Sequence, residues 1–198
     1  METPDTILEF WFGTSPDDAV ATEQSRLWWT KHPDTDREIR QRFESCVRKA
    51  TDGELDGWAA TPRGRLALII LTDQFPRNMY RNTPTSFAYD ALARRWCEEG
   101  LQAGVDKLLR PIERVFFYLP LEHSESMADQ DRAVALYEAL VQDVGPERVS
   151  GFTGFLDYAI RHREVIARFG RFPHRNRILG RASTPEEVEF LAQPGSSF

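Results

Sequence analysis

The Thr-Pro pairs Thr61-Pro62, Thr83-Pro84 and Thr184-Pro185 stand immediately ahead of stretches whose apolar residues recur at helical spacing. A Thr at the N-cap accepts a bond from a first-turn amide, and a Pro just behind it fits because that position has no intrahelical donor to lose. The pairs therefore predict helix starts. Behind the first, Arg65 to Phe75 is apolar over most of its surface, as a central buried helix requires. Behind the second, Phe87, Ala88, Ala91, Leu92 and Trp96 share a helical face, with Gly100 as a stop. Behind the third, Glu186 and Glu187 supply an acidic first turn to Val188–Ala192.

The same period runs through the rest of the chain. Asp34 to Ala50 places Ile39, Phe43, Cys46, Val47 and Ala50 on one face, and Ser126 to Val144 does so with Val134, Tyr137, Leu140, Val141 and Val144. A further helix carries Phe152, Phe155, Leu156, Ala159, Ile160, Val165, Ile166 and Phe169. Thr6 to Phe12 reads as a short helix stopped by Gly13; Ile112 to Leu119 starts at Pro111 and is interrupted or kinked by Pro120. No alternating stretch or hairpin signal competes. The expected fold is all-α: seven to nine helices in antiparallel pairs, forming one domain over residues 1–198 with no linker to divide it.

A formal charge of -6 and a pI of about 5.3 argue against a general nucleic-acid binder. The longest apolar run, around Leu66 to Thr72, is too short to span a bilayer, and no basic region followed by an apolar secretory stretch opens the chain. Cys46 and Cys97 form neither a metal nor a redox motif. A cytoplasmic protein without membrane partners is the expectation.

Chemistry concentrates at two junctions with nearly the same words. Phe75-Pro-Arg-Asn78 closes one apolar run and Phe172-Pro-His-Arg-Asn176 another, each followed by a further Arg, Arg81 and Arg181. The second junction packs Arg168, Arg171, Arg175, Arg177 and Arg181 into fourteen residues around His174. Guanidinium forks match carboxylate and phosphate oxygens two at a time. If the junctions pack together, Arg77, Arg81, Arg175 and Arg181 line an anion pocket whose walls Asn78 and Asn176 fix. In the competing reading the Arg groups pair internally with Asp73, Glu113 and Glu122, and the Asn side chains cap backbone. Pro76 should mark a kink or a last turn, with Asn78 suited to a cap or a left-handed position.

Histidines add a second possibility. Glu122-His123 ends an apolar run, and His162 lies near the apolar side of its helix, either as a core histidine bonded to Glu or backbone or as a catalytic group. General acid–base work by His123 or His162, oriented by Glu122 or Asp73, is chemically reasonable because imidazole titrates near neutrality. The sequence has no His-Glu-x-x-His, phosphate-binding Gly loop, dinucleotide fingerprint or nucleophile elbow, so no metal and no cofactor are expected. The residues thus admit three functions: binding of a small anionic molecule or peptide terminus, small-molecule catalysis, or a helical interaction module.

Longer motifs give a resemblance. Leu8-Glu-Phe-Trp-Phe-Gly13, Leu71-Thr-Asp-Gln-Phe-Pro-Arg-Asn-Met-Tyr-Arg81, Phe116-Phe-Tyr-Leu-Pro-Leu-Glu-His-Ser124, His162-Arg163 and Arg168-Phe-Gly-Arg-Phe-Pro-His-Arg-Asn-Arg-Ile-Leu-Gly-Arg181 are spread along the chain, and the likeness they carry extends over essentially its whole length. They resemble the bacterial domain-of-unknown-function 924 family. The resemblance implies an all-α, tetratricopeptide-repeat-like stack, although the period of about 34 residues typical of such repeats is not visible here. It also marks Asp73, Gln74, Arg77, Asn78, Arg81, Glu122, His123, His162, His174, Arg175 and Asn176 as functional positions. It brings no reaction with it.

Overall fold

Of Thr61, Thr83 and Thr184, two cap helices as their chemistry predicts. Thr61 accepts the Gly64 amide at 3.0 Å, with Pro62 at the first helical position. Thr184 accepts the Glu187 amide at 3.2 Å while the Glu187 carboxylate takes the Thr184 amide at 2.7 Å, a reciprocal capping box. Thr83 behaves differently. Its hydroxyl donates backwards to the Tyr80 carbonyl at 2.7 Å, so it closes the preceding turn instead of capping the next. Pro84–Phe87 is then a 3-10 turn, and the α-helix begins only at Asp90.

The computed structural model describes residues 2–196, apart from the side chains of 17–19. Eleven α-helical segments, and no strand, occur among the described residues. They are α1 (Pro4–Phe12), α2 (Asp17–Glu23), α3 (Ser25–Trp29), α4 (Pro33–Thr51), α5 (Pro62–Ile69), α6 (Phe75–Met79), α7 (Asp90–Gln102), α8 (Pro111–Glu122), α9 (Met127–Asp143), α10 (Val149–Phe169) and α11 (Pro185–Leu191). The count exceeds the seven to nine expected for two reasons. The polar stretch before Trp29 folds into two short helices, and the central apolar run is divided by a π turn over Ile70–Gln74.

That central run is the core of the domain. Leu66 through Leu71 are wholly buried, and α5 packs against α1, α7 and α8. Aromatic rings fill the space around it: Phe75 stacks on Phe43 with centroids 4.7 Å apart and meets Trp11 edge-on at 5.6 Å. Fully burying a side chain of this kind contributes ~2–3 kcal/mol, so the ring cluster is a principal source of stability. α8 is the second central element, buried from Ile112 to Glu122. Pro120 sits inside it without ending it, since the helix continues to Glu122.

α8, α9 and α10 run up, down and up. Tyr137 of α9 donates to the Val115 carbonyl at 2.9 Å, and Gln130, nearer the start of α9, reaches the carbonyls at the end of α8. Arg163, late in α10, pairs with Asp131, early in α9, at 2.6 Å. The last turns of α8 and α10 therefore lie side by side. A small apolar cluster of Val165, Ile166 and Phe172, with Met127, Phe169 and Phe190 against it, anchors the segment that follows α10. Among the described residues the helix contacts show no explicit tandem-repeat unit, and no helix is long and apolar enough to cross a membrane.

Candidate functional site

The π turn creates the site. Pro76 has no amide hydrogen, and in a regular helix its ring would strike the carbonyl four residues earlier. Here the Phe75 amide instead bonds to the Ile70 carbonyl, five residues back, and the widened turn accommodates the proline. The carbonyl of Asp73 is taken by the Arg77 guanidinium at 2.6 Å. The expected kink at Pro76 is thus a bulge inside one continuous helix. Asn78 is helical, and the left-handed position falls to Asn82, at φ 62°.

Asp73 is wholly buried. Its Oδ1 lies 2.8 Å from His123 Nδ1 and 3.2 Å from Arg77 Nη1, and the Gln74 amide donates to Oδ2. Burial by itself raises a carboxyl pKa, but the charge of Arg77, next the His123 ring, and these hydrogen bonds override it and hold Asp73 well below the usual range. An ionised Asp73 only accepts, so Nδ1 of His123 carries the hydrogen and the lone pair sits on Nε2. Burial, and then the Arg77 charge, push the His123 pKa down against the pull of Asp73. The imidazole, 15 % exposed, is therefore neutral and basic at Nε2.

Donors from elsewhere hold the end of α8 that carries His123. Gln130 Nε2 donates to the carbonyls of Glu122 at 2.6 Å and Ser124 at 2.7 Å, and Arg175 Nη2 donates to the His123 carbonyl at 3.0 Å. These are carbonyls a helix end leaves without partners. Beside His123, with ring centroids 6.3 Å apart, stands His162. Its Nδ1 donates to the Tyr158 carbonyl at 2.8 Å, with Glu122 Oε1 at 3.1 Å. Burial drives the Glu122 pKa up to about 8 and that of His162 down to about 3. The pair is neutral with neutral, not an ion pair.

The two Arg-rich junctions meet at one residue. Arg77 grips the Asp90 carboxylate with two nitrogens, at 2.9 and 3.0 Å, and Arg175 Nη1 reaches the same carboxylate at 3.4 Å. Arg175 is sandwiched between the rings of Phe87 and Phe172, 4.7 and 4.6 Å from their centroids. His174 lies against Phe172, its pKa lowered to about 3 by burial and then by Arg175.

The other junction residues go elsewhere. Arg81 pairs with Asp36 at 2.6 and 2.9 Å, and Asn78 donates to the same carboxylate at 3.0 Å. Arg181 holds Glu125 at 2.7 and 2.9 Å and donates to the Phe172 carbonyl at 3.0 Å. Asn176 binds Ser183 and Glu187, at 3.0 and 3.2 Å. Of the four guanidiniums, only Arg77 and Arg175 converge, and each of the four faces a carboxylate of the chain itself. Their partners are Asp90, Asp36 and Glu125 as well as the anticipated Asp73; Glu113 serves Arg63, at 3.0 Å, and Arg110, at 3.3 Å.

Asp90 and Phe87 are the residues that sequence reasoning missed. In the sequence, Asp90 looks like any acid in a helix-opening turn, and Phe87 like one more member of an apolar face. Among the described residues no group of three or more His, Cys, Asp or Glu side chains is placed to hold a metal ion.

An all-helical domain with a carboxylate–imidazole pair at a π turn is the class that fold and geometry define. The chain belongs to the family described as bacterial protein of unknown function, DUF924, whose model matches residues 7–195. It is also similar to a solved structure, the protein of unknown function ATU0120 from Agrobacterium tumefaciens, with 39% identity over 96% of each chain and a TM-score of 0.80. No curated protein matches it.

Proposed function

We propose that this protein binds a small anionic molecule at the corner shared by Arg77, Arg175, Asp73 and His123, and that His123 moves a proton on it as a general base. The observation that carries the reading is the 2.8 Å contact between the buried Asp73 carboxylate and His123 Nδ1. A buried, ionised carboxylate behind an imidazole fixes its tautomer, orients its ring and stabilises the imidazolium that forms when Nε2 accepts a proton. A bulge in a helix and a desolvated carboxylate are costly features for a scaffold role alone. Arg77 and Arg175, one contact away, favour a substrate that carries negative charge. Gln74 holds the second oxygen of Asp73; His162 and Glu122 form the neutral wall beside His123.

A cytoplasmic setting agrees with two thiols, Cys46 and Cys97, that stay free and buried. We further infer that the antiparallel α8–α9–α10 stack is of the tetratricopeptide kind. Binding without turnover, the second reading, draws on the same Arg77–Arg175 convergence.

Time-resolved metabolite profiling of a cell extract tests this. Added wild-type protein is expected to deplete one or a few anionic metabolites with matching product, and His123→Asn to slow that conversion by ~10²–10⁴-fold, the usual contribution of a positioned base. Equal conversion by the variant would rule out the catalytic assignment. Retention of one anion by both proteins, with no product from either, would establish the binder.

A further inference from the structure

We infer that the seat filled by the Asp90 carboxylate is the anion seat of this site, and that its ligand is a small monocarboxylic acid whose carboxylate displaces Asp90 from between Arg77 and Arg175. The inference rests on the reading above and names its ligand class.

Asp90 fits one fork and not the other. Both of its oxygens meet Arg77, at 2.9 and 3.0 Å, but only one approaches Arg175, at 3.4 Å. Arg175 cannot swing to improve this contact, because two phenyl rings box it and its Nη2 holds the His123 carbonyl at 3.0 Å. Its buried Nε–H has no acceptor among the described residues. Burial, and next the Arg77 charge, lower its pKa to about 10. Arg175 thus meets the tethered carboxylate through one long contact and leaves its Nε–H unused, whereas Arg77 is held by Asp90 and Asp73 together. A free carboxylate, not constrained by a helix backbone, can face both forks.

Asp90 is also placed to leave. It is 21 % exposed and opens α7, behind the 3-10 turn Pro84–Phe87 and the left-handed Asn82. Phe87, in the same segment, covers both guanidiniums, 5.7 Å from Arg77 and 4.7 Å from Arg175. Residues 82–90 form a strap that presents an internal carboxylate to a pair of Arg side chains. The seat lies next to the proposed base: Arg77 Nη1 touches both Asp90 Oδ1, at 2.9 Å, and Asp73 Oδ1, at 3.2 Å, and that oxygen holds His123. The nearby Asp73 charge disfavours a dianion, so a carboxylate is selected over phosphate.

Acetate and inorganic phosphate serve as probes, with binding read by titration calorimetry and the His123 Nε2 nitrogen-15 resonance as local reporter. Asp90→Ala is expected to bind acetate at least ~10-fold more tightly than wild type, with little gain for phosphate, and acetate should move the His123 resonance in both proteins. Equal acetate affinity in the two would overturn the inference. So would an equal gain for phosphate, or acetate binding that leaves His123 unmoved. Should Asp90→Ala not fold, Asp90→Asn keeps the shape and is read in the same way. In the wild type, acetate should also raise amide exchange across 82–90, and unchanged exchange would contradict displacement. Failure here, with His123→Asn still abolishing turnover, removes the ligand class and leaves the proposed base standing.

Discussion

Glu122 and Asp73 belong to one cluster and show how little the identity of a residue decides. Both are buried carboxyl groups, yet Asp73 faces Arg77 and His123 and is ionised, whereas Glu122 faces the neutral His162 and Tyr137, is repelled by the Asp73 charge, and is protonated. The Glu122 pKa of about 8 lies above its unfolded value, so the native state holds this proton more tightly than the unfolded chain does. Its stabilising contribution is complete below about pH 4.5 and is lost as pH rises through 8. Glu122→Gln, which cannot ionise, is expected to melt at or slightly below the wild-type temperature at pH 5 and above it at pH 9. Parallel melting curves across that range would show that Glu122 is not buried as a neutral acid. His162, depressed to about 3, has the opposite sign: its neutral form stabilises above its ordinary pKa, and acid withdraws that contribution.

Single helices were read well wherever periodicity and caps agreed. Asp34–Ala50 became Pro33–Thr51, and Ser126–Val144 became Met127–Asp143 with Ser126 as N-cap. The failures have local causes. Thr83 spent its hydroxyl on Tyr80, so a cap signal that held at Thr61 and Thr184 gave only a 3-10 turn. The π turn was hidden because Pro76 announces a disturbance without saying which way the helix absorbs it. The site residues His123 and Asp73 could be named from type and position. Which acid orients which imidazole could not, since fifty residues separate Asp73 from His123 and only the packing of α8 against the bulge brings them together. Gly100, read as a helix stop, lies inside α7, and a Cβ there would sit 2.5 Å from Phe117 Cζ and 2.6 Å from Arg65 Cδ. Gly→Ala within a helix ordinarily gains ~1 kcal/mol. Here overpacking reverses the sign, and Gly100→Ala is expected to lose ~1–3 kcal/mol in denaturant titration; a gain would mean that α7 can shift away from α5 and α8.

Over the molecule as a whole, the C-terminal segment is attached by charge as well as by the apolar cluster around Phe172. Glu187 takes two nitrogens of Arg171 at 2.6 and 2.8 Å, the Asn176 amide at 3.2 Å and the Thr184 amide at 2.7 Å. Its pKa, about 2, is lowered chiefly by Arg171, so this tether persists until strongly acid pH. Glu187→Ala should therefore release residues 171–191 locally. Their amide exchange is expected to rise while α5 and α8 stay protected, with a loss of ~2 kcal/mol. Uniformly faster exchange would instead make the tether part of global folding. The π turn works at this scale too, through phase. One residue inserted in a helix turns everything beyond it by ~100°, so the bulge decides which way Arg77 faces relative to α5. A chain shortened by one residue within 70–74 could remain helical and well packed behind the turn, yet it would aim its acid, amide and guanidinium at the wrong neighbours. The length of that segment is therefore as much a part of the site as the side chains it carries.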